Sequence, residues 1–476
     1  MQIKVATSEL LSVLTALSGI KSGSDTMELY KHAKLTATGT GLSIEKANSF
    51  LSGSGNIPAQ VQQPGAITLD LSRLSSIVRT AYTQDKDSEL SILHGEKLVT
   101  LSCAGATYHL PTLDPNQYPV LPEANTTLFA MDGAEFAWAM GTCNSFKAKA
   151  HSAVGLTGAQ ICSKENGEIR FYASDQKILS RVAAKARADT HCQAGTVLLP
   201  GDAIAVIARI FTGADTILVE TDTESKIVVF TSSHFSVKAK FLEAQYPEID
   251  SVINALKYDN AIGAKADDLL GALSRIAVVV NDKHAAIFVA QRGEKLYLSI
   301  SEPNIGDAVA SLPCELIRGS SHGLEIYLNA LFLENAVAAG KHRDSQLFLK
   351  YSDRSYPISV TTDADDSIWV IMPLSIQYST YEQLIPQASE PLKTVPLEQV
   401  IKDIDLQNLV KTLPLEQQDM IIWRLMGYTQ REIGEHLDVS RSSVAKTEKE
   451  ILAWLQEQSK QAPVESLITS LNKQTS

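Results

Sequence analysis

Residues 110–122 read Leu-Pro-Thr-Leu-Asp-Pro-Asn-Gln-Tyr-Pro-Val-Leu-Pro, and residues 241–253 read Phe-Leu-Glu-Ala-Gln-Tyr-Pro-Glu-Ile-Asp-Ser-Val-Ile. The tripeptide Gln-Tyr-Pro recurs at 117–119 and 245–247, and a strand-like run precedes each copy. A third pair of strand-like runs, around 358–360 and 368–373, lies about one further period along and also ends in proline. Because self-similarity at a fixed spacing indicates a duplicated unit, the sequence predicts three repeats of about 125 residues.

Two helices are predicted in every repeat. The first helix of each pair has an amphipathic pattern and opens at Thr7, Asp132 or Ala266, where Thr7 and Asp132 are capping candidates. The second helices are predicted over 71–82, 203–211 and 331–339. The segments between them alternate apolar and polar residues and contain glycine-rich turns, as antiparallel strands do. The predicted fold class is α+β, with helices on one face of each sheet and edge strands paired between neighbouring domains.

The composition is that of a globular protein with several domains. The chain has 476 residues, which is too long for one core and implies three or four domains. No apolar run approaches the roughly 20 residues that cross a bilayer, and the N-terminus lacks a signal peptide's apolar stretch, so a cytoplasmic protein is expected. The formal net charge of −12 counts against nucleic-acid binding unless the basic residues are gathered on one inner surface.

The reactive side chains form no recognisable catalytic or metal-binding motif. The sequence contains no Gly-Lys-Ser/Thr phosphate loop, no His-Glu-x-x-His, no Cys-x-x-Cys and no Gly-x-Ser-x-Gly. Aspartates cluster at 363–366, where a solvated turn is the simpler interpretation. An odd number of widely spaced cysteines predicts buried thiols rather than disulfides or a zinc site; they are Cys103, Cys143, Cys162, Cys192 and Cys314. We therefore predict a protein that is not an enzyme and uses no cofactor or metal.

Three segments, taken in their order and spacing, resemble those of a known family. Residues 245–249 are similar to its aromatic-Pro-Asp-Tyr segment, residues 172–179 to its Ala-Thr-Asp-Gly-His-Arg-Leu loop, and residues 370–374 to its closing Val-Met-Pro-Met-Arg segment. The family is that of the bacterial DNA sliding clamps, the β subunit of DNA polymerase III, and the resemblance covers residues 1–378. It implies clamp domains at 1–125, 126–253 and 254–378, and a head-to-tail homodimer that closes a ring around double-stranded DNA.

The resemblance implies that helices line the hole of the ring. Basic residues on or beside the predicted helices would then face the DNA backbone, where they contact phosphates without reading bases and so permit sliding. A ring that is acidic outside and basic within would accommodate the net charge. The alternative for these residues is an ordinary solvated surface. The predicted lining residues are Lys21, Arg73, Arg79, Lys147, Lys149, Arg209, Arg275, Lys283, Lys341 and Arg343.

The family also has a pocket between its second and third domains, where polymerases and repair proteins dock a short apolar segment. The matching positions in this sequence are Leu156, Ser174, Leu179, Pro247, Val252, Val370 and Met372. Small and apolar side chains around an open groove suit the anchoring of a peptide. The alternative is that these residues are ordinary core. Two departures stand out, because residues 176–178 read Gln-Lys-Ile where the family has Gly-His-Arg, and Ser251 stands where the family often has Arg.

About 100 residues follow the part that resembles a clamp. Polar residues with three prolines predict a linker over 379–396. A helix-turn-helix domain is predicted over 397–460, followed by a tail over 461–476. Thr429 caps one predicted helix with Glu432 three positions on, and Ser440 caps the next, with a tight turn and buried Val439 between them.

These residues resemble the promoter-reading domain of sigma factors and LuxR-type domains. The resemblance implies DNA contacts by residues at the ends of the two helices, where a recognition helix meets base edges. They are Thr429, Arg441, Ser442, Ser443 and Lys446. The alternative is a small helical bundle for protein contacts. In addition, residues 382–385 read Glu-Gln-Leu-Ile and resemble the core of clamp-binding peptides, so the linker is hypothesised to occupy its own clamp's pocket; the alternative is a solvated linker.

Three functions remain open from the sequence. The first is a sliding-clamp ring that tethers DNA-working proteins and carries an added DNA-binding helix-turn-helix. Its expected partners are DNA, a second copy of the chain and a DNA polymerase, a clamp loader or RNA polymerase. The second is a sequence-specific transcription regulator that uses the clamp fold as a dimerisation scaffold. The third is a protein-interaction platform without DNA contact.

Overall fold

The computed structural model places the chain in two compact units. The first comprises residues 1–257, 342–344 and 360–371, and the second comprises residues 258–341, 345–359 and 372–476. Among the described residues, no helix is long and apolar enough to cross a membrane. The structure describes residues 1–458 except 23–26, 40, 96–97, 151–152, 280–285, 303–304, 320–322, 377–383, 386–400, 402–406, 409, 427, 438 and 440.

The first repeat, in the first unit, consists of two helices and nine antiparallel strands. Its elements are β1 (Gln2–Ala6), α1 (Thr7–Leu17), β2 (His32–Thr38), β3 (Gly41–Ala47), β4 (Leu51–Pro58), β5 (Gln60–Gln63), β6 (Gly65–Asp70), α2 (Leu71–Gln84), β7 (Glu89–His94), β8 (Leu98–Cys103) and β9 (Ala106–Pro111). One sheet has the order β5-β1-β7-β8-β9, and another contains β4-β3-β2-β6. Helices α1 and α2 pack on each other. Their inward residues, such as Leu14 and Val78, are fully buried.

The second repeat has a similar plan, with one further short helix at its end. Its elements are β10 (Thr126–Asp132), α3 (Gly133–Phe146), β11 (Ala159–Ser163), β12 (Glu168–Ser174), β13 (Ile178–Lys185), β14 (Gly195–Leu199), α4 (Gly201–Ile210), β15 (Thr216–Asp222), β16 (Ile227–Thr231), β17 (Phe235–Lys240) and α5 (Ile249–Ala255). Strand β17 pairs antiparallel with β4 of the first repeat, so that one sheet runs β10-β15-β16-β17-β4-β3-β2-β6. The predicted pairing of edge strands between neighbouring repeats is therefore confirmed here.

Glycine permits the close approach of a helix to this shared sheet. A Cβ atom at Gly53 of β4 would lie within 2.9 Å of the side chains of Leu17 and Ile20. A larger residue at position 53 would therefore push the end of α1 away from the sheet. The contact matters for the site described below, because Lys21 follows directly on this packed segment.

The third repeat, most of which lies in the second unit, again has two helices. Its elements are β18 (Asn260–Lys265), α6 (Ala266–Ile276), β19 (Ala286–Arg292), β20 (Lys295–Glu302), β21 (Gly306–Pro313), β22 (Glu315–Arg318), β23 (Glu325–Asn329), α7 (Ala330–Arg343), β24 (Gln346–Tyr351) and β25 (Ile358–Thr361). Strands β21-β20-β19-β23 form one sheet, and β18 pairs with both β22 and β24. The next strand, β26 (Ile368–Ile371), pairs with β13 in the first unit.

All six predicted helices of the three repeats are present, and each follows a strand directly or after one residue. Asp132 caps α3, because its carboxylate accepts the backbone N–H of Glu135 at 2.9 Å. The prediction that Thr7 begins α1 as a cap is wrong. Thr7 is already helical and buried, and its hydroxyl donates a hydrogen bond to the carbonyl oxygen of Ser88 at 2.9 Å.

The last described segment forms three helices, α8 (Leu415–Leu425), α9 (Gln430–Leu437) and α10 (Arg441–Gln458). They share an apolar core that includes Trp423, Ile433 and Val444. Arg424 of α8 and Glu448 of α10 form a buried ion pair, with 2.5 Å between Nε and Oε1. The prediction that Val439 is buried in the turn is wrong, because its side chain is 37% exposed.

Candidate nucleic-acid interface

Two of the predicted DNA-facing cations converge on one cavity of the first repeat. Lys21 follows α1 and Arg79 lies on α2, and they line a cavity of about 600 Å³ together with Lys31 and Lys46. Among the described residues, Asp70 is the one carboxylate in the wall, and it caps α2 by accepting a backbone N–H of the first turn at 2.8 Å. Four cations around one carboxylate create a positive potential that suits phosphate groups.

Hydroxyl groups complete the wall of this cavity. The oxygen Oγ of Ser75 is buried and has no hydrogen-bond partner among the described residues. The first turn of α2 also borders the cavity, and the N-terminal end of a helix favours anions because its N–H groups are partly unsatisfied. The cavity therefore offers donors of three kinds to an anion. Its serines are Ser18, Ser22, Ser72, Ser75 and Ser76.

The cation Lys46 lies deepest in the wall. Its side chain on β3 is 2% exposed, and its ammonium group donates a hydrogen bond to the carbonyl oxygen of Tyr30. Burial lowers the pKa of Lys46 to about 8, against the opposing effect of Asp70. Lys31 is exposed instead, and the hydrogen bond and charge of Glu28, 2.8 Å away, raise the pKa of Lys31. The positive charge of the cavity is therefore complete only below about pH 8.

Four more predicted lining residues have no ion pair in the part of the chain that the structure describes. Arg73, Lys149 and Arg275 are exposed. Lys147 is half-buried against Gly201 at the start of α4, and burial lowers the pKa of its ammonium group. All four stand on or beside helices, as the sequence predicts, and the three exposed ones are available to phosphates.

Arg343 does not fit the predicted lining. It ends α7, and its guanidinium pairs with Glu135 at 2.5 Å and with Asp365 at 2.8 Å. The same group lies 4.0 Å from the ring centroid of Trp138, and only 14% of the side chain is exposed. Because both the charge and the planar face of Arg343 are engaged within the first unit, we remove it from the set of phosphate contacts.

The three remaining members of the set differ. Lys341 is exposed, but its ammonium group lies 2.5 Å from a carboxylate oxygen of Asp267, and this pair weakens its electrostatic attraction for a phosphate. Arg209 donates to the carbonyl oxygen of Ala16 at 2.7 Å, so that it joins α4 to the C-terminal end of α1. Lys283 lies outside the described residues.

The predicted peptide pocket is only partly assembled in the first unit. Leu179 and Val370 belong to one apolar cluster, whereas Pro247 and Val252 are exposed. The cluster also contains Tyr172, Ile249, Ile253 and Ile368. It lies where β12, β13 and β26 meet α5. Buried aliphatic groups flanked by exposed Pro247 and Val252 agree with a groove better than with closed core.

The other members of the predicted pocket have different surroundings. Leu156 is 4% exposed in a 3-10 turn, Val154–Thr157. Met372 is 42% exposed and belongs to the second unit. Ser174 is 5% exposed, and its hydroxyl donates to the carbonyl oxygen of Ile178 at 2.8 Å. That hydroxyl therefore closes the turn between β12 and β13 rather than facing a peptide.

The same turn contains one of the two departures from the family, Gln176 in place of Gly. Gln176 has φ of 75°, a left-handed conformation that suits glycine, and the resembling family has Gly at this position. Asp175 holds the turn, because its Oδ1 accepts the N–H groups of Lys177 and Ile178, each at 2.8 Å. The substitution of Gln for Gly thus leaves the turn in place and adds a side chain to it.

A charged network that the sequence does not predict borders the apolar cluster. Asp250 of α5 accepts hydrogen bonds from Arg170 at 2.6 Å, Tyr172 at 2.9 Å and Arg181 at 3.2 Å. Burial raises the pKa of Asp250, but the hydrogen bonds from Tyr172 and Arg181 and the charges of both arginines outweigh it and lower the pKa overall. The network ties α5 to β12 and β13, which fixes one wall of the cluster.

The five residues predicted to contact DNA in the C-terminal helices are placed as follows. Thr429 is exposed directly before α9, and Ser442, Ser443 and Lys446 are exposed on the first turns of α10. Arg441 begins α10, and its side chain lies outside the described residues. The observed helix limits agree with the predicted ones, but contact with DNA stays a prediction.

The linker hypothesis needs correction in one respect. Ile385 is buried, as docking requires, but its cluster consists of Phe288, Ala290 and Tyr327 of the third repeat. None of these is among the predicted pocket residues. Leu384 is half-buried, and residues 382 and 383 lie outside the described residues.

Other residues of the sequence analysis are mostly buried or paired. The thiols of Cys103, Cys143, Cys192 and Cys314 are buried, as predicted, whereas Cys162 is half-buried. Burial raises the pKa of Cys143 and of Cys314 to about 12. Among the described residues, no three His, Cys, Asp or Glu side chains are grouped so as to hold a metal ion.

Lys46 is the residue of this cavity that sequence reasoning misses most clearly. In β3 the buried side chains alternate at Leu42, Ile44 and Lys46. A lysine at an inward position of a strand is unusual, because an ammonium group is rarely buried without a reason. That interruption of the apolar alternation is the signal that could have identified it.

Comparisons with known proteins agree with this architecture. Residues 1–122 match the family model described as DNA polymerase III beta subunit, N-terminal domain. The beta sliding clamp of Chlamydia muridarum is 22% identical over 379 residues, which cover 79% of this chain and 99% of that protein. The beta sliding clamp of Treponema pallidum is 21% identical over 384 residues and is covered completely.

Solved structures extend the likeness to three dimensions. The DNA polymerase sliding clamp from Bacillus subtilis superimposes with a TM-score of 0.69 at 18% identity, and the Caulobacter crescentus pol III beta with 0.67 at 20%. Each superposition covers 79% of this chain and all of the other. The chain is thus similar to the bacterial beta sliding clamps over 79% of its length, and over that part it has the sliding-clamp fold.

Proposed function

We propose that this protein is a sliding clamp that encircles duplex DNA and tethers DNA-processing proteins to it. The observation that carries the proposal is the cavity where Lys21, Lys31, Lys46 and Arg79 surround a single described carboxylate. The cations reach phosphates, which are the same at every base pair, so the contact does not fix the ring in one register. In this proposal the chain is not an enzyme, and it acts by holding a DNA polymerase or, during loading, by engaging a clamp loader.

We further propose a head-to-tail homodimer. Strand β9 ends the five-stranded sheet of the first unit, and β21 ends the four-stranded sheet of the second, each with one described partner. Two different free edges on one chain allow β9 of one copy to pair with β21 of another, which is a heterologous contact that can close a ring. Exposed apolar groups on and beside β21 favour this, since Val309 of β21 is 42% exposed and the nearby Val278 is 84% exposed.

Sedimentation tests the dimer. Val309→Asp on β21 is expected to convert the dimer to monomers, because a carboxylate would be buried in the contact. Val120→Asp makes the same change at a residue that is 67% exposed in a loop, and it should leave the dimer intact. A monomeric wild-type chain at micromolar concentration would refute the proposed ring.

The C-terminal helices are proposed to be a second DNA-binding element. Exposed Ser442, Ser443 and Lys446 at the start of α10 support this, because the first turns of a recognition helix meet base edges. The buried pair of Arg424 and Glu448 supports it indirectly by fixing α10 against α8. The helices would anchor the ring at chosen sequences or couple it to RNA polymerase. A protein-binding helical bundle is the alternative.

DNA topology separates the two leading functions. A clamp loaded on nicked circular DNA should be retained there and lost when a restriction enzyme linearises the circle. The Lys21→Ala, Arg79→Ala double variant should be retained less, and Lys177→Ala, at an exposed lysine in the turn after β12, should behave as wild type. A transcription regulator on a clamp scaffold would instead bind one site on either topology and lose affinity when Arg441 and Lys446 become Ala.

A further inference from the structure

An apolar patch on the third repeat is covered by the chain's own linker. Phe288 of β19 and Tyr327 of β23 lie on neighbouring strands, with ring centroids 4.9 Å apart. Phe288 is 1% and Tyr327 is 5% exposed, and Ala290 lies beside them without a side chain large enough to fill the space. The partly buried residues Tyr297, Leu374 and Ile376 form the rim.

The path of the chain explains how the linker reaches this patch. After β26 the backbone N–H of Leu374 donates to the carbonyl oxygen of Tyr327 at 2.8 Å, so the segment runs along β23. Between residues 377 and 400 the described residues are Leu384 and Ile385. Ile385 packs on Phe288, Ala290 and Tyr327 and is 2% exposed.

The side chain of Ile385 is therefore part of the cover that buries the two rings. An aliphatic group packed against aromatic side chains on a sheet face can anchor an extended peptide. Along the sequence, Ile385 lies between β26 of the clamp fold and α8 of the C-terminal helices. Such a contact is intramolecular, which gives the linker a high effective concentration at the patch.

We propose that the patch of Phe288, Ala290 and Tyr327 is a docking surface for one aliphatic side chain of an extended peptide, and that Ile385 occupies it in cis. An apolar segment of a partner protein can enter only when Ile385 leaves. The affinity of such a partner is then reduced by the fraction of molecules in which the patch is open. Competition with partners rests on the proposed tethering function, whereas the occupation by Ile385 does not.

A labelled peptide of residues 380–390, which contains Leu384 and Ile385, is the probe for this proposal. Its binding to the full-length chain is measured by fluorescence anisotropy without DNA. Ile385→Asp in the protein should open the patch and tighten binding of the probe by about tenfold or more, since the internal competitor is lost. The control is Ile317→Asp, which makes the same change at a side chain that is 46% exposed on β22, and it should bind the probe as the wild type does.

Two further measurements keep the interpretation specific. A probe with Asp in place of Ile385 should not bind the opened protein, and Ile376→Asp at the rim of the patch should weaken binding when combined with Ile385→Asp. Equal affinity of the wild type and the Ile385→Asp protein would overturn the occupation in cis, and absence of binding to the opened protein would overturn the docking surface. Because no DNA is present in these measurements, either failure leaves the proposed clamp function standing. Failure of DNA retention, in turn, leaves the occupation of the patch by Ile385 standing.

Discussion

The same sequence criterion selects the basic residues around α2 and the basic residues at the end of α7, but their neighbours differ. Lys21 and Arg79 face a cavity with two further lysines and one described carboxylate. Arg343 and Lys341 each meet carboxylates, at 2.5–2.8 Å for Arg343 and 2.5 Å for Lys341. The comparison teaches that a basic residue on a helix is free to attract a phosphate only where no carboxylate of the same chain pairs with it, and the experiments below test whether the unpaired ones do so.

The largest effect is expected for Arg343→Ala, which should lower the stability of the protein without lowering its DNA affinity. Arg343→Ala would leave Glu135 and Asp365 without their partner and remove the guanidinium from Trp138. We expect the free energy of unfolding to fall by about 3 kcal/mol, because the pair is largely buried. Urea unfolding followed by fluorescence measures this. DNA affinity of the folded variant should change little; a large loss of affinity without a loss of stability would contradict the comparison.

The control for that experiment is Lys341→Ala. Its pair with Asp267 is mostly exposed, so its removal should change the free energy of unfolding by less than about 1 kcal/mol. If both variants were equally destabilised, the contrast between the buried and the exposed pair would be wrong.

Asp250 is a second paired charge, and its effect on the free energy of unfolding should depend on pH. The folded state lowers the pKa of Asp250, so the carboxylate stabilises the protein above the unfolded pKa of about 4 and this contribution is lost as pH falls through the folded pKa. Asp250→Asn should lower the free energy of unfolding at pH 7 by about 1 kcal/mol, since the side chain is a third exposed. Urea unfolding at pH 7 and pH 3.5 should differ less for the variant than for the wild type.

Asp363→Asn provides the matched control, because Asp363 is an exposed carboxylate in a turn. It should leave both the stability at pH 7 and the acid dependence unchanged. An equal effect of the two substitutions would show that general surface charge, and not the network around α5, sets the acid response.

Unpaired cations are expected to act on binding alone. The Lys21→Ala, Arg79→Ala double variant should bind a labelled duplex about tenfold more weakly, and the slope of log affinity against log salt should fall by about 2. Fluorescence anisotropy at several salt concentrations measures both quantities. Lys341→Ala should change the slope less than either single variant of the cavity, and the reverse order would contradict the role assigned to neighbouring carboxylates.

Much of the fold could be predicted because its signals are local. Asp132 caps its helix, the helical periodicities place all six helices of the repeats, and the alternating segments between them form strands. The paired edges of β17 and β4 also follow from the repeat, since each domain leaves an edge for its neighbour. The helices and strands depend on spacing within about twenty residues, and the shared edge depends on the repeat, both of which a sequence displays directly.

The candidate site could be predicted only in part, because its chemistry depends on residues distant in the chain. Arg343 pairs with Glu135 and Asp365 and donates to the carbonyl oxygen of Ala183. No local sequence pattern near position 343 predicts these partners. Thr7 has the residue type of a helix cap, but its hydroxyl donates a hydrogen bond to the carbonyl oxygen of Ser88 instead. Ile385 is identified as a docking residue by resemblance, yet its cluster lies on a different sheet from the one expected. Lys46 alone carried a usable signal, in the alternation of β3.

The smallest expected effect concerns that lysine and tests whether the cavity binds phosphate. Because the pKa of Lys46 is about 8 in the folded protein, its charge is present at pH 7 and largely absent at pH 9. DNA affinity should therefore fall about threefold between these values, as one phosphate contact is lost. Lys46→Met should bind at pH 7 with the reduced affinity and show no such fall.

Lys31→Met is the control for this pH dependence. Glu28 raises the pKa of Lys31, so Lys31 stays charged at both pH values. Because the pair with Glu28 weakens the attraction of Lys31 for a phosphate, its removal should change binding only slightly, and equally at pH 7 and pH 9. Stability responds to Lys46 in the opposite sense. The unfolded chain binds a proton up to about pH 10.4, so the folded state with neutral Lys46 gains stability as pH rises from 8 towards 10. Loss of affinity accompanied by loss of stability over this range would show that the cavity unfolds, whereas a loss of affinity that accompanies a gain in stability and disappears in Lys46→Met assigns the phosphate contact to the buried ammonium group.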